Sequence, residues 1–269
     1  MSEFESEDAY WNFARTVRSQ RRWIFEGKTA EFLFSVRKAS HSREYLLKSE
    51  TKLWRCQRGS RVEPDTQGIE RECPKSPEEM VPNSKFVKSG GRANPPGFAY
   101  LYLATEPQTA MAEMRPWVGE SLSMALFETK KDLRLVQCQQ DSEDPLKRIC
   151  LGGQKLSPTE VDLYVWSDIS DAFARPVNRE EAESGYVPTQ ILAEAFKAEG
   201  FDGVVYKSRL AKGLNIVLFN TEVAKPLRYF LYALRSVSYT FAADDPQFTI
   251  YTQKDGSPEY LWTLNSDSG

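Results

Sequence analysis

Hydrophobic positions along the chain fall into two periods. Near the N-terminus Tyr10, Phe13, Ala14, Val17 and Ile24 recur at helical spacing, which predicts an amphipathic first helix with Arg15, Arg18 and Arg22 on its other face. A second helix is predicted over residues 29–38 and a short one over 44–48. Over residues 98–104 the period changes to two, with Leu101 and Leu103 on one face and Tyr100 and Tyr102 on the other. That pattern predicts a half-buried strand with an aromatic outer or cleft face. Apolar runs at 123–127, 133–138, 201–206 and 216–219 predict further strands. Residues 188–199 predict a helix with Ile191, Leu192, Ala195 and Phe196 inward and Gly200 as its stop. Residues 157–183 suggest a helical insertion covering one side of the sheet, 60–88 a long surface loop, and 139–147 a polar turn. Near the end, FTIYT and YLWTL flank a turn at 254–258 and predict a hairpin. The sum is a mixed α/β protein.

Residues 89–117 concentrate the candidate chemistry. Gly90 and Gly91 precede Arg92 in a turn of small residues, a backbone that lets a phosphate approach while the arginine supplies a forked cation. The strand follows, and then Thr105-Glu106-Pro107-Gln108 has the form of a capping box with proline in the first helical turn. Ala110, Met111 and Met114 make the apolar stripe of that helix, and Pro116 is its expected stop. Glu113 lies one turn after Thr109 and beside Ala110, at the edge of the stripe. A carboxylate there is partly desolvated and still faces a cleft. Turn, strand and helix together place an arginine, a tyrosine and a glutamate around one ligand.

Composition narrows the classes. The chain has 269 residues, 41% hydrophobic and 27% charged, enough for a substantial core. A net charge of −3 offers no global field for nucleic acid or anionic membrane, and the basic face of the first helix is most simply a solvated one. No apolar run is long enough to span a bilayer, and the acidic start MSEFESED does not resemble a signal peptide. Cys56, Cys73, Cys138 and Cys150 are widely spaced without a CxxC, as expected for reduced thiols in the cytoplasm. The single histidine, His41, sits in a polar run that reads as a loop or a helix end, so histidine-rich zinc sites are not expected and a Ser-His-Asp triad would rest on it alone.

The stretch GRANPPG, then YLYLAT, then AMAE resembles the RES domain family, named for arginine, glutamate and serine. The resemblance opens at Leu53-Trp54-Arg55, continues through Tyr186-Val187-Pro188-Thr189-Gln190, and ends at FDGVVYKS and Asn215-Ile216-Val217-Leu218-Phe219. Four separated blocks in order make it specific. It implies a fold like the ADP-ribosyltransferase and diphtheria-toxin group, with a curved or split sheet holding NAD in a central cleft. Residues 51–235 would be the catalytic domain, 1–50 a helical extension packed on it, and 236–269 a C-terminal β-hairpin extension. Two departures stand out: Ala93 replaces a bulkier aromatic, and the chain is longer than the compact toxins of the family.

Carried over by position, Arg55 and Arg92 would bind the pyrophosphate and nearby ribose. Tyr102 would stack on nicotinamide, and Glu113 would hold the ribose and stabilise positive charge. Ser208 would support Glu113 or the ribose, with Asn215 in the same site. NAD is implied as substrate, with no true cofactor and no metal. The family further implies an NAD-depleting toxin paired with a helix-turn-helix antitoxin or another inhibitory protein, cytoplasmic, homo-oligomeric and without a membrane. The acceptor is left as water, phosphate or, in the alternative of an ADP-ribosyltransferase, a macromolecule. Arginine-modifying transferases carry a glutamate two residues before the catalytic one; Met111 occupies that place here and favours water or phosphate.

Overall fold

In the computed structural model, residues 3–139, 156–175, 182–238, 247–253 and 257–263 are described. The chain divides into two compact units, residues 1–234 and 235–269. The first opens with α1 (Ala9–Ser19) and α2 (Lys28–Ser40), then β1 (Glu44–Leu47), β2 (Lys52–Arg58), and a hairpin of β3 (Arg61–Pro64) and β4 (Glu70–Cys73). It continues with α3 (Pro77–Met80), β5 (Leu101–Ala104), α4 (Pro107–Glu113), β6 (Ser121–Thr129) and β7 (Leu133–Gln137). After α5 (Pro158–Ala174), α6 (Ala182–Gly185) and α7 (Val187–Ala198) come β8 (Gly203–Lys207), β9 (Leu214–Leu218) and β10 (Ala224–Ala233). In the second unit β11 (Gln247–Thr252) and β12 (Pro258–Thr263) pair antiparallel, the hairpin expected from FTIYT and YLWTL.

Eight strands form one open mixed sheet in the order β1-β7-β8-β9-β5-β2-β6-β10. Only β7 and β8 run parallel; the other neighbours are antiparallel. Between β5 and β2 the ladder is a single bridge, Trp54 to Ala104, so the sheet is joined narrowly there. On one face Val136, Val204, Tyr206 and Val217 pack with α1, α2, α5 and α7 through Phe13, Phe32, Val165, Phe173, Leu192 and Phe196. On the other, Leu53, Leu101, Leu103, Phe127, Leu135 and Ile216 pack with Met80 of α3. A third cluster lies under α4, where Cys56, Ala104, Ala110, Leu122 and Met124 meet Trp54, Met111 and Phe230. The central strands are buried on both sides, which explains their unbroken apolar runs.

Several expectations change. The first helix stops at Ser19, and Ile24 is exposed. Residues 44–47 are an edge strand paired with β7, not a helix, because the β-branched-poor run still alternates and finds a ladder partner. The stretch 60–88, expected as a loop, holds the β3–β4 hairpin, turned at Asp65 by its carboxylate accepting from Gln67 and Ile69 N–H, and the capped turn α3. The strand β10 was not anticipated at all, because its mixed burial leaves no clean alternation. Ala193, not Ala195, is the buried alanine of α7. Most of the polar turn at 139–147 and residues 176–181 of the 157–183 insertion lie outside the described residues.

The first fifty residues are woven into the first unit: α1 and α2 share its core, and β1 is part of its sheet. Among the described residues no helix is long and apolar enough to cross a membrane.

Candidate active site

The helix α4, the end of β8 and the start of β9 converge on Glu113. Tyr206 of β8 stands opposite Asn215 of β9 in the ladder, so Ser208, just past β8, comes near Asn215. Ser208 Oγ donates to Glu113 Oε1 at 2.8 Å, and Asn215 Nδ2 donates to the same oxygen at 2.7 Å. Ser208 Oγ also accepts the Leu210 N–H at 3.1 Å, which leaves its own proton for Glu113. Both donors are buried. Glu113 Oε2 instead faces Arg92, with Nη2 at 3.8 Å, and the two side chains are 18% and 11% exposed. One carboxylate oxygen is therefore saturated with donors, while the other looks across a short gap toward a cation.

Glu113 is the last residue of α4, the helix end at which a negative charge is least favoured. The two donors offset that placement, and α4 is pinned at both ends. At its start the Thr109 hydroxyl donates to Lys212 O, and Thr105 exchanges bonds with Leu214. Thr105 thus extends the contact with β9 and makes no capping box; Glu106 is the N-cap, without a side-chain bond, and Pro107 opens the helix as expected. Gly213 has φ +113°, and a Cβ there would meet Thr105 Oγ1 at 2.9 Å. The end comes before Pro116, where Arg58 Nε and Nη2 donate to Met114 O at 2.8 and 2.6 Å and Nη2 also reaches Arg115 O. A guanidinium both satisfies orphan carbonyls and complements the helix dipole.

Arg92 sits on a turn closed by Gly91 N–H donating to Asn94 O at 2.8 Å. Tyr102 braces this turn from β5: its hydroxyl donates to Asn94 Oδ1 at 2.5 Å and accepts the Ala93 N–H at 3.0 Å. The first turn of α7 holds the same backbone, with Thr189 Oγ1 donating to Arg92 O at 2.6 Å and Gln190 Nε2 to Gly91 O at 2.8 Å and Asn94 O at 3.1 Å. These contacts revise two expectations. A Cβ on Gly91 would lie 2.5 Å from the Tyr102 hydroxyl, and one on Gly90 would lie 3.0 Å from Gln190 Nε2. The glycines make room for the protein's own side chains, where an open phosphate cradle was expected. Tyr102 does not turn outward: its ring packs against the core, its hydroxyl is engaged, and burial raises its pKa.

Arg92 itself donates from Nη1 to Phe173 O and Arg175 O, each at 2.6 Å, at the C-terminal end of α5. Its guanidinium lies 5.8 Å from the centre of the Tyr186 ring. Tyr206, packed on Phe173 with ring centres 5.6 Å apart, has its pKa raised by burial, with Arg92 the leading opposing influence and Glu113 among the nearby charges. A phenol kept neutral beside these groups is a hydrogen-bond donor.

Arg55 stands apart. Its Nη1 donates to Tyr102 O at 3.2 Å, bridging β2 and β5 beyond their single pair, and its Nε is buried without a partner among the described residues. Burial brings its pKa down to about 10. No hydrogen bond or ion pair among the described residues joins it to Glu113 or Arg92. Of the six residues named from the sequence, Arg92, Glu113, Ser208 and Asn215 form one constellation; Tyr102 braces it, and Arg55 lies behind that brace.

Sequence reasoning missed Arg58, Asn94, Tyr186, Thr189, Gln190 and Tyr206. Block order brought Tyr186 to Gln190 and Tyr206 into view, but no spacing rule shows which side chain will meet a turn about a hundred residues away. His41 lies elsewhere, with Nε2 2.9 Å from Glu199 Oε2. Burial pushes the thiols of Cys56 and Cys138 up to about 12, so neither is a nucleophile at neutral pH; Cys150 lies outside the described residues. Among the described residues no group of three or more His, Cys, Asp or Glu gathers as a metal site.

Comparison with known proteins bears on this geometry. The RES domain family profile matches residues 52–241, which takes in Arg55, Arg92, Glu113, Ser208 and Asn215. No curated protein matches the chain. A solved structure that resembles it is the crystal structure of the M. tuberculosis MbcT–MbcA toxin–antitoxin complex, at 14% identity and a TM-score of 0.39, covering 74% of this chain and 92% of that one.

Proposed function

This chain belongs to the RES domain family, and on that premise we propose that it consumes NAD by cleaving the bond between nicotinamide and ribose. The observation that carries the reading is Glu113: Oε1 filled by Ser208 and Asn215, Oε2 turned toward Arg92. Glycosidases that expel an alcohol need a second carboxyl group to protonate the leaving oxygen. Nicotinamide is a pyridinium cation and takes both electrons of the C–N bond as it leaves neutral, so one carboxylate suffices. A site with one histidine elsewhere and one carboxylate suits this bond.

Glu113 Oε2 accepts the ribose hydroxyls and stabilises the oxocarbenium-like charge at the anomeric carbon. Ser208 and Asn215 hold the carboxylate against the C-terminal end of α4, so it is already oriented when that charge develops. Water or phosphate then forms the new bond at the anomeric carbon; water gives up its proton to Glu113 and on to solvent. Arg92 takes the ribose and pyrophosphate side through Nη2, and Arg55 supports that side from behind, through its bond to Tyr102 O. Met111, two residues before Glu113, packs into the apolar cluster under α4, where an arginine-modifying transferase carries a glutamate. That favours water or phosphate over a protein acceptor. The same proposal makes the protein a cytoplasmic, homo-oligomeric toxin or effector that depletes NAD, restrained by a helix-turn-helix antitoxin or another inhibitory protein.

The test is nicotinamide release from NAD by the purified chain beside Glu113→Gln, with and without phosphate. ADP-ribose as co-product identifies hydrolysis, and ADP-ribose-1″-phosphate identifies phosphorolysis. Label transferred from NAD to added cell protein or nucleic acid would mean the ADP-ribosyltransferase alternative. NAD bound but unchanged in every condition would sink the reading.

A further inference from the structure

The first turn of α7 has no part in bond cleavage as proposed, yet it makes more contacts with the Arg92 turn than any chemical role for it requires. The amide of Gln190 has two N–H groups and uses them on two carbonyls of one turn, Gly91 O at 2.8 Å and Asn94 O at 3.1 Å. Thr189, 1% exposed, donates to Arg92 O at 2.6 Å. Three carbonyls of the turn, those of Gly91, Arg92 and Asn94, are thus taken by two adjacent side chains. The platform is stiff: Ile191, Leu192 and Phe196 anchor α7 in the core, and Pro188 presets its first turn. Upstream, Arg18 of α1 donates to Gly185 O at 3.2 Å, tying the approach to α7 to the N-terminal helix.

We propose that Thr189 and Gln190 are positioning residues: they fix the backbone from Gly91 to Asn94 and thereby aim the Arg92 guanidinium at the ligand held by Glu113. This rests on the NAD reading for its effect on turnover, though not for the clamp itself. The tip of Arg92 is anchored through Nη1 to Phe173 O and Arg175 O, and the definition of its other end rests on the backbone it leaves from. The clamp supplies that definition where the segment around Arg92 is irregular and has no ladder of its own.

The experiment compares full-length wild type, Thr189→Val, Thr189→Ser and Gln190→Met. Steady-state nicotinamide release is measured together with hydrogen–deuterium exchange over residues 89–97. The expected result is a KM for NAD raised about tenfold in T189V and Q190M with kcat within about threefold, the size of one or two hydrogen bonds. T189S, which keeps the hydroxyl, returns KM to near wild type, and exchange over 89–97 quickens in T189V and Q190M only. A KM unmoved in both variants, or a loss in T189S equal to that in T189V, overturns the proposal. Should wild type turn over no NAD, the functional reading falls separately and exchange decides: faster exchange in T189V but not T189S upholds the clamp, and equal exchange in all four chains overturns it.

Discussion

Glu113 and Arg92 face each other at 3.8 Å, but the protein holds them by different means. On the glutamate side the carboxylate is gripped directly, by the side chains of Ser208 and Asn215, on a helix pinned at both ends. On the arginine side the grip is mostly on the backbone: Thr189, Gln190 and Tyr102 hold the turn, and the guanidinium itself meets the end of α5. The difference matches what each group is asked to do. A group that stabilises charge in the transition state gains from having its reacting atoms preorganised. A group that binds a diphosphate gains from a fixed origin and one free face, and Arg92 has both: its turn is clamped and Nη1 is anchored, which leaves Nη2 toward Glu113. The glutamate side should therefore govern kcat and the arginine side KM.

The largest effect that would break this division is at Glu113. Glu113→Gln keeps shape and both donors' neighbour but removes the charge, and kcat should fall on the order of a hundred- to ten-thousandfold. A fall in affinity with kcat intact would reverse the assignment. Next come Ser208→Ala and Asn215→Ala, each expected to lower kcat by roughly tenfold or somewhat more, since a hydrogen bond to a charged group is worth about 1.5–3 kcal/mol. Because both act on one oxygen, the double variant should lose less than the product of the two. Strict additivity, read from the rate cycle, would mean that they act on different species.

Smaller still is Tyr102→Phe, which keeps the ring and removes only the hydroxyl. If Tyr102 is a brace, stability drops by about 1–3 kcal/mol from the unsatisfied Ala93 N–H and Asn94 side chain, and KM rises while kcat holds. Unchanged stability and KM would mean that only the ring matters, as stacking on nicotinamide requires. The smallest concerns the far end of α7, where Glu199 pairs with His41 and Arg37 and its pKa is lowered, chiefly by the bond from His41 and then by that from Arg37. A lowered folded-state pKa gives stability that is present above the ordinary value of 4.5 and is lost as pH falls through the depressed one. Glu199→Gln should thus cost under about 1 kcal/mol at neutral pH in urea unfolding, and progressively less as pH falls through the depressed value, with turnover unaffected. A turnover change would show that this end of α7 also bears on the clamp.

Residue order alone determined a good deal. Period two marked β5, helical spacing marked α1 and α7, and continuous apolar runs marked β6, β7, β8 and β9, because burial on one face imposes a period and burial on both removes it. Four blocks in order marked the family. Glu113 at the edge of an apolar stripe was legible because a helix fixes which residues share a face. Where local rules misled, a distant partner had prevailed: Thr105 left its capping box for Leu214, and residues 44–47 became a strand beside β7. Tyr102 turned inward because its hydroxyl found Asn94 and Ala93, and Gly90 and Gly91 are small to admit Gln190 and Tyr102. Which donors reach Glu113, and which helix holds the Arg92 turn, depends on how α4, α7, β8 and β9 pack against one another. Hydrogen bonds act over about 3 Å, while the sequence places these partners about a hundred positions apart, so only the tertiary structure decided them.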